Sequence, residues 1–142
     1  MATINAQPGS YLNKNQWFLL GLFTAAASVL AVLLVQALAL AIWPDIALFK
    51  PLDSYPRTAV FTLIPAVVAT ALLSWLANNK PQPAQAFLRI AAVVLIVSII
   101  PDYFLPVPNK TLLASTVTAL LHVVAAIVTI SVLLTGYRRL TG

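Results

Sequence analysis

Three carboxylates, one histidine and no cysteine make up most of the chemistry available to this 142-residue chain. Asp45, Asp53 and Asp102 fall near the ends of long apolar runs, and His122 stands inside one, in "TALLHVVAAIV". An imidazole can relay a proton, bind a metal or ligate haem. Metal chemistry would need more ligands, and the sequence offers no second histidine, no thiolate and no carboxylate expected at the same depth. We therefore expect no metal and no cofactor. The spacing also gives no Ser-His-Asp set and no paired carboxylates, so the expectation is a non-enzymatic protein. His122, Gln36, Thr118 and Asp102 form the candidate ligand or proton site, a small polar cluster to which Pro65 would add a kink. The plainer role for His122 is an interhelical hydrogen bond to Gln36, to Thr62 or to a carbonyl freed by Pro65.

These residues sit in a chain that is 61% hydrophobic and 8% charged, with a mean hydropathy of +0.98. A soluble domain of this size has too much surface to hide so many apolar side chains. The sequence thus predicts an all-α polytopic membrane protein, a four-transmembrane-helix bundle in one membrane domain spanning 1–142. A polar N-terminal segment covers 1–16, the helices run about 17–43, 58–77, 87–100 and 111–135, and a basic tail closes the chain at 136–142. The first run is too long for the apolar core of a cleaved signal and is read as a retained helix.

Basic residues set the expected orientation. With four spans, Lys14, Lys80, Arg89, Arg138 and Arg139 share one side, and Lys50, Arg57 and Lys110 share the other with all three acids. The excess places both termini in the cytoplasm of a cell-membrane protein. The formal charge of +5 is scattered beside the spans, which points to topology rather than nucleic acid. The lipid bilayer is the expected partner, together with a second copy or another membrane protein.

"WPDIALFKP" and "IPDYFLPVP" follow the first and third spans at an offset of 57 positions, which is also the offset from Pro65 to His122. Two tandem helical hairpins in parallel repeat are one reading of this match, and chance likeness between apolar sequences is the other. In each Pro-Asp pair the proline ends the incoming helix and the aspartate caps a following turn, Asp45 over 46–50 and Asp102 over 103–105. Binding of a cation or substrate amine is the functional alternative for Asp102. On the fourth span Thr111, Ser115, Thr118, His122, Ala126 and Thr129 share one face, which should turn inward, with Leu113, Leu120, Val124 and Ile127 opposite.

The chain from Trp17 to Arg139 resembles small bacterial four-helix integral membrane proteins of an uncharacterised, domain-of-unknown-function family. The resemblance rests on "PLDSYPRTAVFTLIPAVVATALLSWL", "IIPDYFLP" and "TALLHVVAAIV". It implies a four-helix bundle with a histidine late in the chain, and carries no activity. Three functional classes remain: a structural or accessory membrane subunit, a small-molecule or proton-linked transporter, and a ligand-binding membrane protein using the cluster around His122.

Overall fold

Long uncharged runs in lipid must satisfy their own backbone hydrogen bonds, and the chain does so with four helices. The computed structural model describes residues 11–142, so most of the polar N-terminal segment lies outside the described residues. The helices are α1 (Lys14–Ile42), α2 (Tyr55–Asn79), α3 (Pro83–Phe104) and α4 (Leu112–Thr141). Each is long and apolar enough to cross a membrane. At 1.5 Å per residue even α3 reaches about 33 Å, a full hydrocarbon core.

Local signals start the helices where they begin. Asn13 and Gln16 form a reciprocal capping box on α1, which adds a turn before Trp17. Ser54 accepts from the Arg57 amide to start α2, with Pro56 in its first turn. Thr111 accepts from the Ala114 amide to start α4. α2 continues unbroken through Pro65.

The helices stand in a ring, each packed against its neighbours in sequence, with α4 returning to α1 and touching α2 across the diagonal. Neighbours are antiparallel. Trp17 near the start of α1 stacks on Tyr137 near the end of α4, with centroids 5.8 Å apart. Two apolar clusters fill the bundle. At the end carrying both termini, Leu20, Leu73, Leu76, Phe87, Leu133 and Leu134 pack together. At the opposite, hairpin end, Val32, Ala39, Ala114, Val117 and Leu121 receive Ile46, Phe49 and Leu52 from the connection after α1.

Small and hydroxylated residues make further interior contacts along the bundle. Thr24 and Ser28 are fully buried, and Thr58, Thr62, Thr70, Ser115, Thr118 and Thr129 are buried with them. The inward face expected on α4 is present at Ser115, Thr118 and Thr129, with His122 and Ala126 half-buried and Thr111 exposed. Leu113, Leu120 and Ile127 face outward as expected, whereas Val124 is half-buried against the hairpin-end cluster.

Glycine allows the closest approach. A Cβ on Gly21 would lie 2.9 Å from Thr70 Cγ2, inside van der Waals contact. Thr70 has little freedom to withdraw, because its hydroxyl donates to the Ala66 carbonyl at 2.9 Å. We predict that Gly21→Val destabilises the bundle by about 1–3 kcal/mol through overpacking. Ala26→Val, on the exposed face of the same helix, should stay within about 0.5 kcal/mol of the parent. Thermal unfolding of the three proteins in one lipid nanodisc composition checks the pair, and equal melting points would refute the close approach.

Candidate functional site

The two Pro-Asp segments take different conformations, and neither aspartate acts as the expected cap. α1 ends at Ile42, and the chain then makes two 3-10 turns, Pro44–Leu48 and Lys50–Leu52. Asp45 lies in the first of them and makes no side-chain cap bond; Trp43 occupies the preceding position. At the second segment α3 passes through Pro101 and closes its last turn with Leu105 N–H donating to the Pro101 carbonyl at 3.0 Å. Asp102 is therefore inside a helix rather than ahead of one, and α3 extends beyond the expected end at Ile100.

The last turn of α3 is held at its carbonyl end by a lysine from the connection to α4. Lys110 Nζ donates to the Tyr103 carbonyl at 2.8 Å and to the Leu105 carbonyl at 3.0 Å. The ammonium both satisfies orphan acceptors and sits at the negative end of the helix dipole. Asn109, at φ 59°, supplies the left-handed residue that turns the chain back and brings Lys110 into place. Tyr103 adds a hydroxyl bond to Thr116 Oγ1 at 3.2 Å.

The continued helix carries Asp102 to His122. His122 Nε2 lies 3.3 Å from Asp102 Oδ2, the aspartate side chain 10% exposed and the histidine 39%. Oδ2 is buried yet accepts no aligned hydrogen bond. The pair thus joins α3 to α4 by proximity of a carboxylate and an imidazole, at the level where α3 ends. Such a pair can exchange a proton or latch two helices. Among the described residues, no group of three or more His, Cys, Asp or Glu side chains could hold a metal ion.

The other expected members of the cluster have different partners. Gln36 is fully buried, and its Nε2 donates to the Leu52 carbonyl at 3.2 Å, which holds the 3-10 segment in the mouth of the bundle. Its Oε1 is buried and unpartnered. Thr118 donates to the Ala114 carbonyl at 3.0 Å, within its own helix. His122 and Asp102 are brought together, whereas Gln36 and Thr118 are each bonded elsewhere. Neither Gln36, Thr62 nor the region of Pro65 supplies the histidine's partner.

Sequence reasoning missed Lys110 and the Leu52 carbonyl. The first carried a faint signal, a lone lysine between two prolines and a helix start, but its acceptors depend on where α3 ends. The second carried none, because every residue has a carbonyl.

A family model described as "Family of unknown function (DUF6069)" matches residues 13–139, and the chain belongs to that family. No curated protein and no solved structure matches it.

A double-mutant cycle measures the central pair. Asp102→Asn, His122→Gln and the double variant, unfolded in the same nanodiscs, should give a coupling of about 0.5–2 kcal/mol. Additive losses would mean that the two side chains are neighbours without interaction. Gln36→Leu tests the second feature: it should leave the helices intact and increase amide exchange at Leu52 and Asp53 several-fold, since the Leu52 carbonyl loses its anchor.

Proposed function

We propose that this DUF6069 member is a non-enzymatic structural or accessory subunit of the cell membrane, with both termini in the cytoplasm. The use of its interior polar groups supports the reading. Ser28 and Thr129 bond each other across α1 and α4 at 2.8 Å, and Gln36 holds the 3-10 segment. Thr24, Thr58, Thr62, Thr70 and Thr118 each donate to the carbonyl four residues earlier. Groups bonded in this way serve helix packing rather than the lining of a path. Outside, Phe18, Leu22, Leu30 and Leu34 of α1 and Val93, Val94, Ile96 and Val97 of α3 are exposed. That surface suits lipid, a second copy or another membrane protein. The cytoplasmic assignment follows the excess of basic residues at the terminal end.

The Asp102–His122 pair favours one second reading, a proton-linked transporter or ligand-binding protein. Ionisable side chains among membrane helices mark pathways often enough to warrant the comparison. The two readings separate in one preparation. Protein extracted mildly at its natural abundance should run as a complex of fixed mass and composition. The same protein in liposomes should leave an imposed pH gradient no leakier than Asp102→Asn does. A gradient that collapses faster with the wild type than with the variant would replace the subunit reading by transport. For topology, a reporter that folds only in the cytoplasm should be active when fused after Gly142, and activity of a reporter restricted to the far side would reverse the orientation.

A further inference from the structure

We infer that the groove between the start of α3 and the end of α4 binds the phosphate-bearing headgroup of an anionic phospholipid, in the leaflet on the side of the two termini. The groove has a volume of about 440 Å³; Ala84, Leu88 and Tyr137 form its apolar walls, with Gln82, Gln85 and Arg138 among its polar lining. The Tyr137 wall is fixed from behind, since its ring stacks on Trp17 and packs on the Leu20–Phe87 cluster. Gln82 precedes α3 and makes no side-chain cap bond.

Charge selects the occupant. Arg138 is exposed, and all three acids of the chain belong to the other end of the bundle. Among the described residues the two carboxylate pairs are Asp53 with Arg57 and Asp102 with His122, both at the hairpin end. Lys14, Lys80 and Arg139 add to the same uncompensated charge around the groove's end. No side-chain carboxylate at this end supplies a counter-anion. A guanidinium fork matches phosphate oxygens, and the two carboxamides offer further donors. The adjoining length of α3 is the least buried of the four spans, and its apolar side chains suit the acyl chains that follow a headgroup. Basic pockets between membrane helices recognise lipid headgroups in this manner, whereas basic residues that only set topology need no groove.

The test titrates purified, delipidated protein with phosphatidylglycerol and with phosphatidylcholine of the same chain length, counting bound lipids by native mass spectrometry. The wild type should prefer phosphatidylglycerol by about fivefold or more. Arg138→Gln should reduce the preference to near parity, and Arg138→Lys should recover part of it. Arg89→Gln, also exposed but outside the groove, should keep the wild-type preference. An unchanged preference in Arg138→Gln, or an equal loss in Arg89→Gln, would overturn the site in favour of diffuse surface charge. Displacement of the lipid by millimolar inorganic phosphate would overturn the lipid assignment and leave a free-anion site.

Discussion

Hydrocarbon offers no hydrogen-bond partner, so the polar groups inside this bundle turn to the chain for one, and among the described side chains Gln36 Oε1 and Asp102 Oδ2 are left without. That constraint decides how the hydroxyl residues are used. Most of the buried threonines return their proton to their own helix, which satisfies them and contributes nothing between helices. The Ser28–Thr129 bond does cross an interface, and bonds of that kind average only about 0.6 kcal/mol in membrane proteins. A few such contacts cannot hold a bundle together. Close packing carries most of the association, and small residues such as Gly21, Ala25 and Ser28 on α1 make it available. The hydroxyls are compatible with that packing rather than its main cause.

The same constraint is hardest to meet where helices end, because the last carbonyls of each helix have no amide to accept from. The hairpin end meets it in two ways. After α1 the chain turns back into the bundle, burying Ile46, Phe49 and Leu52, and Gln36 supplies a donor for the exiting backbone. After α3 a lysine seven residues downstream of Tyr103 reaches back to the terminal carbonyls. With Lys110 on one side and His122 facing Asp102 on the other, the turn is held by groups from α4 and its approach.

The spans were legible because twenty apolar residues without charge admit few structures in lipid. The inward face of α4 was legible for a related reason, since Ser115, Thr118 and Thr129 recur at helical spacing among bulky aliphatics. Asp102 was not. Local rules read Pro-Asp as a stop followed by a cap, and at Asp45 the stop is real though the cap is not. At Asp102 the competing terms are tertiary, a lysine ammonium and an imidazole that no window of a few residues contains. Of the candidate cluster, the Asp102–His122 pair is brought together and Gln36 is bonded elsewhere, for a similar reason. Gln36 and His122 lie on helices that do pack together, but Gln36 meets the Leu52 carbonyl first, and the path of that loop was not encoded in any recognisable turn motif.

The two ends of the bundle consequently differ in their electrostatic relation to their surroundings. At the hairpin end Arg57 donates to Asp53 and to the Lys50 carbonyl, Lys110 is bound to backbone, and Asp102 faces His122. Charge there is compensated inside the protein, which lets a compact cap close over the helices. At the terminal end the basic residues have no side-chain carboxylate to meet. Attraction between that charge and any anionic surface it meets weakens with salt. A helix bundle whose charge is balanced at one end and unbalanced at the other presents its long-range field at the unbalanced end.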